Sequence, residues 1–439
     1  MMMRVCVPAL AGVAALTIGA WQMVTRPVAT AAVVVPQHLP AFSASEAEQR
    51  ERDIAFYAGR ARRDPLGAFD RSKLAELYLQ RARETGSFED LLRAERAARA
   101  SVALRQEHNA RSRQLLASTL LAQHRFAEAL AVARELVAAE PDIATFRALF
   151  GECQLEVGDY AGADTTFGAL QRSAGELSVM PRIARWHELA GRTEIARRLL
   201  RVARDNARRD STGMLREQRA WFELRVGDFE LRHGRLAAAE SAFHSGLSIF
   251  PGDYRLLGGM ARLELARDHA ARAAAYGEQA VANVLDPATL GIVADAYLRL
   301  GDTVRAEDYA HALDIAVIRQ PGAYHRAWSL WLLDHRRHVP TVAAKVRREL
   351  RTRHDVYGLD LHAWALHAQG RDVRARAVMT RALAHGTEDA LLFYHAGAIE
   401  RALGHTSNAR TFFSRALAAN PYFQPAQAAD ARAFLAAKE

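Results

Sequence analysis

Apolar residues recur every three to four positions along most of this chain, and no stretch alternates apolar with polar. That period predicts amphipathic helices and no strands. From Glu46 the helical pattern runs nearly to the end, broken at intervals by a glycine or a polar turn. Five residues after each break stands an alanine: Gly158 with Ala163, Gly191 with Ala196, Gly234 with Ala239, Gly301 with Ala306, Gly370 with Ala375, and Gly404 with Ala409. Arg125, a polar substitute, opens the turn before Ala129. The spacing is 34 residues from Ala129 to Ala163, from Ala239 to Ala273 and from Ala375 to Ala409, and 33 from Ala273 to Ala306. A fixed period of this size predicts stacked helix-turn-helix units.

The clearest copy runs Ala220-Trp221-Phe222-Glu223-Leu224-Arg225-Val226-Gly227, turns at Gly234-Arg235, and closes with Ala239, Phe243, Leu247 and Pro251. The last copy has Phe393, Ala396-Gly397, Gly404, Ala409, Phe413, Ala416 and Pro421. In these residues the chain resembles the tetratricopeptide-repeat family. The resemblance implies an all-α, right-handed superhelical solenoid. Small residues would let the paired helices cross closely, the aromatic would fill the gap toward the next unit, and the proline would end the second helix. Units begin near Ala110, Ala144, Leu177, Ala220, Tyr254, Pro287, Tyr324, Val356 and Ala390. The expected organisation is a leader over 1–31, a linker over 32–45, a helical region with a degenerate repeat over 46–109, an array of about nine units over 110–421, and a capping helix over 422–439. Two departures stand out. The step from Leu177 to Ala220 is 43 residues, so a longer helix or a loop is expected near Arg208 to Arg216. The unit from Tyr324 has Pro340 at its turn in place of glycine.

The leader has Arg4 before an uncharged run from Val5 to Ala20, then Arg26-Pro27 and an Ala29-Thr30-Ala31 motif. It reads either as a signal peptide cleaved after Ala31 or as an uncleaved anchor, with Val5 to Val24 as a membrane tether. Both place the array outside the cytoplasm, in the periplasm or on the inner membrane facing it. Cys6 and Cys153 cannot supply a disulfide framework, and Cys153 is expected to be a small buried side chain.

With 50% hydrophobic residues the chain can bury a core, which excludes wholesale disorder. Lys plus Arg number 59 against 50 Asp plus Glu, a net charge of +9. Only Lys73, Lys345 and Lys438 are lysines, so the excess is arginine, expected to lie along the outer helix faces. The run from Lys345 to Arg353 has Glu349 as its one counter-charge. Lys345, Arg347, Arg348 and Arg351 therefore form a candidate patch for an anionic partner. No base-reading set recurs from unit to unit, so nucleic acid is not expected as a partner.

No phosphate-binding glycine loop, HExxH, CxxC or nucleophile elbow occurs, so no catalytic residues and no cofactor are expected. The 17 histidines leave one alternative open. Asp334, His335 and His338, with His362 and His367 further on, could serve a metal-handling or enzyme-accessory protein, although no metal site is assigned. The resemblance implies that the first helix of each unit lines a concave groove. Carried over residue by residue, this makes Trp221, His325, Trp328, Tyr357, Trp364, His367, Tyr394 and Arg401 the candidate groove. Aromatics there would suit a protein or peptide partner. The reading is a non-enzymatic scaffold or adaptor in a bacterial envelope. The lysine and asparagine set that would clamp a chain-terminal carboxylate is not matched.

Overall fold

The computed structural model describes residues 41–437, apart from Ala174, Asn283 and residues 321–325. The leader, Cys6 and His325 lie outside the described residues. The chain divides into two compact units after Val35, and the whole array belongs to the unit from Pro36 onward.

Helix α1 (Ala41–Arg63) precedes the array, beginning inside the stretch expected to be linker. The pair α2 (Ala68–Thr85) and α3 (Phe88–Leu104) is the degenerate first unit. Nine pairs follow. They are α4 (Ala110–Ala122) with α5 (Phe126–Ala139), α6 (Ala144–Val157) with α7 (Tyr160–Ala169), and α8 (Met180–Leu189) with α9 (Thr193–Arg209). Next come α10 (Arg216–Arg232) with α11 (Leu236–Ile249), α12 (Tyr254–Ala266) with α13 (Ala270–Val281), and α14 (Pro287–Arg299) with α15 (Thr303–Ile318). The last three are α16 (Arg326–Asp334) with α17 (Val339–Glu349), α18 (Val356–Ala368) with α19 (Asp372–Leu383), and α20 (Ala390–Ala402) with α21 (Thr406–Ala419). Helix α22 (Pro425–Ala436) closes the stack. No strand occurs among the described residues.

The alanines after each turn are where the paired helices cross. Ala129, Ala163, Ala239, Ala375 and Ala409 are fully buried. A β-carbon at Gly227 would overlap the Phe243 ring, so the small residue and the aromatic of one unit form a single packing element. Cys153 is buried and free, and burial pushes its thiol well above the usual range. The register shifts in one place. Arg125 is the N-cap of α5, and the residue standing where glycine stands elsewhere is His124, with φ of 58°. Asp268 and Arg336 turn the chain likewise without glycine. The long step after α8 becomes extra helix: α9 and α10 are 17 residues each, joined by a short loop. In the unit with Pro340 the proline sits in the first turn of α17, where its missing N–H costs nothing. Ala428 and Ala431 of α22 are buried, and Phe434 meets Phe413 edge-on.

Successive turns of the superhelix touch. The Val356 N–H donates to the Tyr160 hydroxyl at 2.7 Å across 196 residues, and the His354 N–H to the Val157 carbonyl at 2.9 Å. The Thr387 hydroxyl donates to the Leu189 carbonyl across 198 residues, and the Asn420 amide to the Leu231 carbonyl across 189. The Tyr160 ring stacks on His385 with centroids 3.5 Å apart. Every one of these contacts joins a helix-helix turn to a loop between units, one superhelical turn further along.

Candidate functional site

The first helices of the units face inward, as the resemblance implied. On α10, Glu217, Trp221, Arg225 and Arg232 fall four, four and seven residues apart and so share one face. That face, with the inner faces of α2, α4, α6, α8 and α12, encloses a cavity of about 940 Å³. The starts of α16 and α18 and Asp389, just before α20, complete its wall. This lumen carries eight arginines against four carboxylates. Arginine is thus not confined to the outer faces: eight of the chain's 56 line the lumen. Arginine at three- and four-residue spacing on a first helix points inward as readily as outward.

The lumen's own charges are incompletely matched. Arg182 pairs with Glu152 at 2.7 Å, and Arg326 with the buried Asp360 at 3.0 Å. Glu188 takes two guanidiniums, Arg232 at 2.8 Å and Arg185 at 3.0 Å. Burial alone would raise the Glu188 pKa. The charges of Arg232, Arg185 and Arg225 outweigh it and hold the carboxyl well below the usual range. Two guanidiniums lie over the Tyr357 ring, Arg326 at 4.8 Å and Arg185 at 5.4 Å from its centroid. Burial pushes its hydroxyl up to about 12. Among the described residues neither Arg83 nor Arg225 has a hydrogen-bonded or ion-paired carboxylate, and Arg225 has only the Trp221 ring, at 5.9 Å. The surrounding protein wall lowers the pKa of Arg225 and of Arg83, which is itself exposed to the lumen, most strongly opposed for Arg83 by Glu217 and reinforced for Arg225 by Arg232.

The eight groove candidates separate. Trp221 and Tyr357 line the lumen. Trp364, His367, Tyr394 and Arg401 line a second cleft of about 510 Å³ that runs from the end of α12 to α22. Trp328 lines neither, and His325 is outside the described residues. Trp328, Trp364 and Tyr394 are at most 9% exposed. Their polar atoms are committed to neighbouring elements: the Trp328 indole to Asp314 at 2.7 Å, the Trp364 indole to Asp334 at 2.8 Å, and the Tyr394 hydroxyl to Asp430 at 2.8 Å. Arg401 also reaches Asp430, at 3.0 Å. These aromatics tie one unit to the next, and Trp364 and Tyr394 offer the cleft only their rims. Asp314 and Asp430 were missed in the sequence because an isolated aspartate on a helix carries no motif, and Asp334 was singled out there only as a metal candidate. Asp334 is open to the cleft yet surrounded by protein, and burial raises its pKa to about 6 against the pull of His395 and the Trp364 indole.

In the basic patch, Lys345 is paired with Glu349, while Arg348 and Arg351 are exposed. Arg347 joins Arg371, Arg374 and His362 around an outer cleft of about 480 Å³. For the metal alternative, no three His, Cys, Asp or Glu side chains converge among the described residues. His335 instead bonds Asp295 at 2.9 Å and packs on Trp331, and His367 bonds Asp372.

No family model matches the chain, and no curated protein matches it. Among solved structures, the Cut9–Hcn1 hetero-tetramer of the APC/C aligns over 87% of this chain at 14% identity, with a TM-score of 0.47. This chain spans 65% of that one's length. The human IFIT1 dimer with m7Gppp-AAAA aligns over 86% of this chain and 88% of its own at 13% identity, TM-score 0.46. A tetratricopeptide repeat protein from Parabacteroides merdae aligns over 59% and 98% at 14% identity, TM-score 0.39. What decides the architecture is the register inside this chain, with paired helices, buried alanine after the turn, and ring over glycine. The chain is an all-helical solenoid of paired helices, and its register resembles that of the tetratricopeptide repeat. As in any such array, each unit buries its apolar face on its neighbours, which leaves the inner surface free for polar groups. No helix among the described residues is long and apolar enough to cross a membrane.

Proposed function

We propose that this chain is a non-enzymatic tetratricopeptide-repeat scaffold that holds a segment of a partner protein in its superhelical interior. The observation that carries the reading is the lumen, where six first helices converge on about 940 Å³. Concave sites with mixed apolar and polar walls are where extended ligands bury the most surface. Trp221 and Tyr357 contribute the aromatic part of that wall. The rim of the second cleft, with His367 and Arg401, extends the same inner surface toward α22. With residues 1–31 read as a leader or anchor, the array works outside the cytoplasm of a bacterial cell, in its envelope.

The test is site-specific photocrosslinking in cells. A photoreactive residue replacing Trp221 should trap a partner. The same residue replacing Arg198, on the exposed side of α9, should not. Equal trapping at both positions, or none at Trp221, would overturn the reading.

A further inference from the structure

The lumen is not only large but charged beyond its own needs. Its lining has eight arginines against four carboxylates. Six of the eight have an ion-paired carboxylate, Arg262 with Asp228 at 3.7 Å and Arg353 with Asp355 among them, which leaves Arg83 and Arg225 among the described residues. Three of the four carboxylates are already engaged: Glu152 by Arg182, Glu156 by Arg353 at 3.7 Å, and Glu217 by Arg255 at 2.8 Å. Arg225 stands in a group of three guanidiniums, with Arg232 and Arg185, faced by two carboxylates, Glu188 and Asp228. Arg83 contributes a further charge from α2 without a bonded partner among the described residues. Guanidiniums crowded into a protein-lined space repel one another, and an incoming anion relieves that repulsion. Beside Arg225 the wall changes character. Leu177, Met214 and Trp221 are half-buried and form an apolar shelf over Phe222.

We infer that the lumen takes an acidic peptide segment, one that sets apolar side chains on the Leu177–Met214–Trp221 shelf and carboxylates against Arg225 and Arg83. The inference rests on the scaffold reading above and names the chemistry of its partner. Arginine suits this role because its planar fork meets a carboxylate with two parallel hydrogen bonds. A single-stranded nucleic acid fits less well. Its bases need open aromatic faces. Two arginines already lie over the Tyr357 ring, and the Trp221 ring meets Phe222 edge-on with Arg225 nearby. Glu152, Glu156 and Asp389 face the same space and oppose a continuous run of phosphates.

The experiment uses the full chain and three fluorescent probes: a decapeptide alternating Glu with Leu, one alternating Lys with Leu, and an oligouridylate of ten nucleotides. The Glu-Leu peptide should bind, more weakly as salt is raised. A variant with Arg83→Gln and Arg225→Gln should lose at least about tenfold in affinity, about 1.4 kcal/mol. Arg374→Gln, in the outer cleft, should change nothing. Circular dichroism melting checks that each variant folds. A single Arg225→Gln variant, with a smaller loss, keeps the test alive if the double one does not fold. Equal binding of the Lys-Leu peptide, tighter binding of the oligonucleotide, or unchanged affinity in the variants overturns the inference. A partner trapped at Trp221 through a basic segment would also overturn it and leave the scaffold reading standing. Failure to trap any partner there would overturn that reading itself.

Discussion

The Tyr160 hydroxyl accepts a hydrogen bond from the Val356 N–H at 2.7 Å, 196 residues along the chain. Val356 is the first residue of α18, so its N–H is one of the donors a helix cannot satisfy internally. The next two, Tyr357 and Gly358, donate to the Asp355 carboxylate. One helix start is therefore capped partly by its own loop and partly by the preceding superhelical turn.

Removing that hydroxyl should be felt at both ends. Tyr160→Phe keeps the ring against His385 and leaves the Val356 N–H without its acceptor. The expected loss is about 1–3 kcal/mol, with faster amide exchange at Val356. Exchange unchanged at Val356 would mean that the bond contributes nothing.

Two glycines separate backbone strain from contact between turns. Gly158 and Gly370 both have positive φ, 88° and 70°. A β-carbon at Gly158 would overlap the His354 backbone, whereas at Gly370 nothing lies within 4 Å. Gly370→Ala should cost about 1 kcal/mol, the strain of a left-handed alanine. Gly158→Ala should cost at least about twice that, because it also disturbs the His354 to Val157 hydrogen bond. Equal shifts in denaturation midpoint would show that this contact adds no stability.

Asp334 should make stability depend on pH in a narrow window. Its folded pKa of about 6 lies above the ordinary 3.8. From about pH 4 to 6 the folded chain holds a proton that the unfolded chain has lost, so stability falls as pH rises. Asp334→Asn keeps an acceptor for the Trp364 indole and removes the titration. The difference in melting temperature between variant and parent should therefore grow from pH 4 to 7. Parallel curves would show that Asp334 does not titrate there.

The leader gives a prediction by mass alone. A mature chain beginning at Ala32 identifies a cleaved signal peptide. An intact N-terminus in the membrane fraction identifies the anchor. An intact chain found only in the soluble cytoplasm would refute both.

How much of this was legible in the sequence depends on distance along the chain. Helix pairs, the buried Ala163 and Ala409, and the ring over Gly227 all act within one unit, and the 34-residue spacing exposes them. The α9 to α10 lengthening was visible as an irregular step. The substitution of His124 for a turn glycine was missed by one residue, because a histidine in the left-handed region has no spelling of its own. The lumen was not legible. It depends on which units meet after a full superhelical turn, and nothing local records that Tyr160 faces Val356 or that Arg353 reaches Glu156. The described groove aromatics do lie on first helices, which the repeat register exposes. Their burial reflects aspartates from other units, such as Asp334 for Trp364 and Asp430 for Tyr394.

The contacts between turns also set an order in time. Tyr160 leaves the ribosome 196 residues before Val356. At about 5–20 residues per second, that edge of the nascent array waits roughly 10–40 s for its mate. During synthesis the coil is open and its arginine-lined bore can be entered from the side. Once α18 and the loop before α20 are in place, these contacts close the gap between the two turns.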